Sequence, residues 1–143
     1  MQSITIEIGP GELFDRLSIL RIKNRRASAD KVRAATGSQV EQLLALRRSI
    51  PDHDDVRKVE MQLADVNGKL WDVEDQLRLL ERAARFDSEF IELARSVYRL
   101  NDERCALKQQ IDIALGWTPT EFKVYSEAPV SDGTNDNAAV SRP

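Results

Sequence analysis

The chain has 143 residues, of which 41% are hydrophobic, 31% charged and 6% aromatic, enough apolar material for one domain with one core and a charge content typical of long solvated helices. A net charge of −3 argues against a dedicated nucleic-acid binder, which carries a strong basic excess. A single cysteine, Cys105, and a single histidine, His53, exclude an intramolecular disulfide and the common zinc cages.

The start, Met1-Gln2-Ser3-Ile4-Thr5, lacks the basic opening and apolar run of a secretory leader. No segment approaches the roughly 18 continuous apolar residues of a membrane span, so a cytoplasmic location is expected. From Ser3 to Ile8, the residues Ile4, Ile6 and Ile8 alternate with polar neighbours, which predicts a short strand. Gly9-Pro10-Gly11 stops it, and Pro10 with Glu12 suits a helix start. A first helix is expected from about Glu12 to Ala35, with Leu13, Leu17 and Leu20 on its stripe and Gly37 as its C-terminal cap. A shorter one follows from about Gln39 to Ser49, and Pro51 to Asp55 reads as a turn with an acidic cap.

The strongest pattern lies beyond that turn. Val56, Val59, Leu63, Val66, Leu70, Val73, Leu77 and Leu80 recur at spacings of three and four, the seam of a coiled coil. Continuing the register would place Asp87 in the seam, where a charge is costly. Instead Phe86, Phe90, Leu93, Val97, Leu100, Arg104, Leu107 and Ile111 start a new seam, with Asp87 placed as an N-cap. Two antiparallel helices with a turn near Ala83 to Asp87 are therefore expected, rather than one continuous rod. After Gly116 the alternating Glu121-Phe122-Lys123-Val124-Tyr125 predicts a second strand to pair with the first. The fold class that follows is mainly α: three to four helices around a long antiparallel coiled-coil-like hairpin, with a short two-stranded ribbon. Residues 1–126 form one helical domain, and 127–143, without large side chains to bury, read as a disordered tail.

Folding the hairpin back around residues 83 and 84 sets Asp72 opposite Arg95, Gly68 opposite Arg99 and Leu63 opposite Arg104. A mid-helix glycine costs about 1 kcal/mol against alanine, so a close approach of Arg99 or Tyr98 to Gly68 is expected. The densest polar group is Trp71, Asp72, Glu74, Asp75 and Arg78, faced by Glu92, Arg95, Tyr98, Arg99, Asn101, Asp102 and Arg104. It reads either as a ladder of ion pairs or as a site for an anion or a partner, built from Arg95, Arg99 and Arg104 with Trp71 or Tyr98 as an apolar wall. Arg104 stands where leucine or valine belongs. Such a residue fixes register when paired with an acid such as Asp15 or Asp72, or else aims at a bound carboxylate or phosphate.

The basic run Arg21, Lys23, Arg25, Arg26, Lys31 and Arg33 has no interleaved aromatics and reads as a solvated or internally paired face, with Lys23 kept as a candidate binding residue. Trp117 reads as an anchor. Cys105 has no histidine near it in sequence and is not a candidate nucleophile. Asp15, Asp72, Glu74 and Asp75 could supply acid/base carboxylates, but no spacing selects a pair. No phosphate loop, nucleophile elbow or metal-ligand spacing occurs, so no catalytic residue, metal or cofactor is assigned.

Four segments carry a resemblance: residues 11–23 (GELFDRLSILRIK), 70–75 (LWDVED), 90–104 (FIELARSVYRLNDER) and 121–125 (EFKVY). Over roughly residues 4 to 126 the chain resembles an uncharacterised family of short bacterial helical proteins. That resemblance implies no activity, and only a setting near surface-polysaccharide or glycosyl metabolism. The chain is more loosely similar, in architecture and scattered arginines only, to the all-helical chorismate mutases, whose run of ligand positions it lacks. The leading expectation is a non-enzymatic helical interaction or assembly protein whose partner is a second copy or another protein. It rests on Ile91, Ala94 and Tyr98, which widen the helix-four stripe beyond one seam. The competing expectation is a small enzyme or anionic-ligand accessory using Arg95, Tyr98, Arg99 and Arg104 with Asp15 or Asp75.

Overall fold

Proline loses nothing at the first position of a helix, where its missing N–H would be unpaired anyway. In the computed structural model, which describes residues 4–118, Pro10 opens α1 (Pro10–Arg26), followed by α2 (Asp30–Arg48), α3 (Asp54–Arg82) and α4 (Ser88–Ala114). The chain is mainly α, as its periodicity predicts. The ribbon is not found: no strand occurs among the described residues, and 4–9 are irregular with Ile4 and Ile6 exposed. Alternation alone makes no ladder, since a strand needs a neighbour for its backbone groups. The expected second strand at 121–125 and the tail at 127–143 lie outside the described residues.

The break between the first two helices also falls elsewhere than expected. α1 ends at Arg26, and Ala27 and Ala29 are extended at (−64°, 120°) and (−91°, 130°). The side chain of Asn24 sets this turn, because its amide donates to the carbonyl oxygen of Arg33 (2.7 Å) and to the Thr36 hydroxyl (2.9 Å). Gly37 is not a cap. It lies inside α2, where a Cβ would come 3.4 Å from the Asn24 amide.

The long hairpin forms where the two seams change phase. α3 ends in a Schellman motif: the Ala84 N–H donates to the Glu81 carbonyl (3.0 Å) and the Arg85 N–H to the Leu80 carbonyl (2.9 Å). Ala84 takes the left-handed position at φ 51°. Asp87 caps α4 by accepting from the Phe90 N–H.

α1 packs on both long helices and antiparallel to α2. The core sits at that end: Leu13 and Phe14 of α1 join Val56, Leu63, Val66 and Leu70 of α3 and Leu107 and Ile111 of α4. The last residue of α1, Arg26, reaches Asp72 and Asp75. Beyond that point α3 and α4 run on as a two-helix hairpin. There Leu80 is buried, whereas Leu79, Phe86 and Ile91 are more than half exposed.

Candidate functional site

The core contains a polar knot held by three helices. Asp15 and Ser18 lie one turn apart on α1, Asn67 follows the seam residue Val66 on α3, and Arg104 interrupts the seam of α4. Asp15 is 1% exposed. Its two oxygens accept from Arg104, Oδ1 from Nε at 2.8 Å and Oδ2 from a terminal guanidinium nitrogen at 2.5 Å. This bidentate fork is the geometry arginine offers and lysine does not. The Asn67 amide donates to Asp15 Oδ1 (2.9 Å) and to Ser18 Oγ (2.5 Å), and the Ser18 hydroxyl donates to the Asp15 carbonyl oxygen (2.9 Å). Among the described residues no buried side-chain nitrogen or oxygen lacks a partner. The hydrogen bonds to Asp15 hold the Arg104 guanidinium above its already high ordinary range. The charged intruder in the seam is thus paired with an acid of α1, 89 positions away in sequence.

One turn further toward the helix ends, α1 and α4 approach closely. A Cβ on Gly11 would lie 2.3 Å from the carbonyl oxygen of Lys108, a separation no side chain tolerates. The Gly11 N–H donates to Asp112 Oδ1 (2.7 Å). Burial pushes the Asp112 carboxyl above the usual range, against the opposing pull of that N–H. Glu12 accepts from Lys108 (2.5 Å) and Arg16 (2.7 Å). Burial raises its carboxyl, but the two cations outweigh burial and leave it below the usual range. A groove of about 300 Å³ runs beside these pairs, lined in part by Ile8, Cys105, Lys108, Asp112 and Trp117. Of its carboxylates, Glu12 faces two cations and Asp112 a backbone N–H. No cluster of three or more His, Cys, Asp or Glu side chains able to hold a metal occurs among the described residues.

The remaining residues singled out in the sequence fall in separate places. Asp72 and Asp75 both reach Arg26, at 2.5 and 3.6 Å, and that guanidinium lies 5.9 Å from the Trp71 ring centroid. Asp75 and Glu74 also hold Arg78. This cluster closes on the end of α1 and on itself. Arg95 pairs with Glu92 (3.1 Å), and the Arg99 guanidinium lies 5.8 Å from the Tyr98 ring centroid. Tyr98 is 53% exposed, and hydrogen bonding from Arg99, then Arg95, lowers its hydroxyl below the ordinary phenol range. Asp102 is exposed further along α4, and Lys23 is exposed beside α2. Nothing lies within 4 Å of a Cβ built on Gly68, so the expected approach of Arg99 or Tyr98 does not occur.

A family model described as a family of unknown function (DUF6165) matches residues 4–137. The chain belongs to that family. The match spans all four helices, in line with the resemblance to an uncharacterised family read from the sequence. No curated protein and no solved structure matches the chain. In this DUF6165 member the sequence reading found Asp15 and Arg104 but missed Ser18 and Asn67, which complete the knot. It also missed Gly11, Lys108 and Asp112. Ser18 had a usable signal, as a hydroxyl four residues after Phe14 on the face that α1 buries. Asn67 had almost none, because a polar residue beside a seam reads as solvated.

Proposed function

We propose that this chain is a non-enzymatic helical assembly protein that self-associates through the outer face of α4. The observation that carries this reading is a second stripe on α4. Ile91, Arg95, Tyr98 and Asp102 recur at spacings of four, three and four, all exposed, on the side of the helix opposite the seam. Ile91 and Tyr98 each keep 53% of their surface in water. An exposed stripe at that spacing is what an antiparallel helix covers.

A second copy supplies the complement. A two-fold axis between Tyr98 and Arg99 sets Arg95 opposite Asp102 of the second copy, and by symmetry the reverse. The same axis sets Ile91 against Ala106 of the second copy and brings each Tyr98 ring to a guanidinium of the other chain. Arg104, committed to Asp15 in the interior, offers no free cation to a ligand, which supports assembly over catalysis. Sedimentation equilibrium is expected to give twice the 16.2 kDa chain mass, with Ile91→Glu and Tyr98→Glu shifting it to the single chain. A strict monomer at high concentration contradicts the proposal.

One observation favours a second reading, that of an anionic-ligand accessory. The exposed Tyr98 hydroxyl is held by both Arg99 and Arg95, a surface an anion could share. The setting that the sequence resemblance implies, near surface-polysaccharide or glycosyl metabolism, makes sugar nucleotides the first probes. A thermal-shift screen in which none raises the melting temperature disposes of this reading.

A further inference from the structure

The outward face of the α1–α2 pair belongs neither to the knot nor to the α4 stripe. α2 lies along α1 and reaches α3 by an ion pair at its C-terminal end, where Arg47 meets Glu60. An open groove of about 380 Å³ follows the seam between α1 and α2. α1 lines it with Arg16, Ile19, Leu20 and Lys23, at successive spacings of three, one and three. α2 lines it with Gln39, Gln42 and Leu43 in the same rhythm, and Leu46, 56% exposed, continues that row by one turn. Two helices that each present one such row form the seat of a third helix.

The chemistry of the groove selects its occupant. The floor is apolar and half-buried, made by Ile19, Leu20 and Leu43. The rim carries two cations and two carboxamides, and no carboxylate lines it. Glu12 already holds Arg16, but Lys23 has no hydrogen bond or ion pair among the described residues. We infer that this groove docks an amphipathic helix of a partner protein whose apolar stripe is flanked by aspartate or glutamate. An apolar row inserts between Ile19, Leu20 and Leu43, and flanking carboxylates meet Lys23 and the amides of Gln39 and Gln42. A lysine-flanked helix would bring like charge onto Lys23. A small anion would lack the enclosing walls that a ligand of its size needs. The surface lies on different helices from the α4 stripe, so the inference stands independently of self-association.

The test uses the full chain, labelled with ¹⁵N, and a synthetic helix of roughly 18 residues, about five turns. The peptide carries leucines at alternating three- and four-residue spacing with glutamates on both flanks, and a matched peptide carries lysine at every glutamate. The acidic peptide is expected to bind and shift the amide signals of Leu20, Lys23 and Gln42, while the lysine peptide does not bind. Lys23→Glu, a change at an exposed side chain, is expected to weaken the acidic peptide by about tenfold or more and to admit the lysine peptide. Failure of the acidic peptide to bind overturns the inference, as does equal binding of both peptides or indifference to Lys23→Glu. Signals of the groove that move with protein concentration alone make the occupant a second copy, which also overturns it.

Discussion

The two ends of the α3–α4 hairpin solve the same packing problem in opposite ways. At the docked end α1 closes over both helices, and buried polar groups are matched across helix boundaries, from Asp15 to Arg104 and Asn67 and from Gly11 to Asp112. At the free end two helices stand alone, ion pairs stay in water, and Leu79, Phe86 and Ile91 are left more than half exposed. The docked end is fixed by interactions that fail badly when one partner is lost. The free end carries little that the fold itself requires.

The contrast is sharpest in the ion pairs. Arg104→Met should leave the Asp15 carboxylate buried without its cation and cost about 3 kcal/mol, because an uncompensated buried charge is the expensive outcome. Arg26→Met, which breaks pairs to the exposed Asp72 and Asp75, should cost no more than about 0.5 kcal/mol. Urea titration of the two variants measures both, and equal losses would erase the distinction between the ends.

Glycines sharpen it next. Gly11→Ala forces a methyl against the Lys108 carbonyl 2.3 Å away and should cost about 2 kcal/mol by pushing α1 off α4. Gly68→Ala meets open space and should stabilise by about 1 kcal/mol through helix propensity alone. Opposite shifts in melting temperature are the expected result. Ala84→Gly, which relieves the left-handed strain at φ 51°, should stabilise the turn by a smaller amount, up to about 1 kcal/mol.

Acidity gives the smallest effect, and at the docked end it acts in both directions. Glu12 is held below its usual range, so its contribution is present above its unfolded pKa and is lost as pH falls through the folded one. Asp112 is held above the usual range by burial. Its protonated form therefore favours folding, and stability declines as pH rises from its unfolded pKa through its folded one. Asp112→Asn should remove that decline, and Glu12→Gln should remove the loss on the acid side. Denaturation midpoints across this window resolve the two.

Much of this was legible in the sequence, for reasons that also explain what was not. The seams of α3 and α4 and the N-cap at Asp87 are local patterns, and local patterns survive in sequence. The break after Arg26 was hidden because it is set by Asn24 reaching Arg33 and Thr36 across the turn, whereas Gly37 gave a false cap signal. Arg104 was visible as an intruder, yet its partner was one of several candidate acids, because a contact over 89 positions leaves no periodic trace. The ribbon was inferred from alternation in Ile4 to Ile8, which reports a pattern of faces and says nothing about whether a neighbour exists.

The central claim is that the outer face of α4 holds two copies together while the knot at the docked end holds each copy folded. Sedimentation equilibrium of the full chain and its Ile91→Glu variant, with urea midpoints on the same samples, tests it most directly. The account predicts a dimer for the parent chain, a monomer for the variant and the same monomer unfolding free energy for both. A parent chain that stays monomeric, or a variant that stays dimeric, contradicts it.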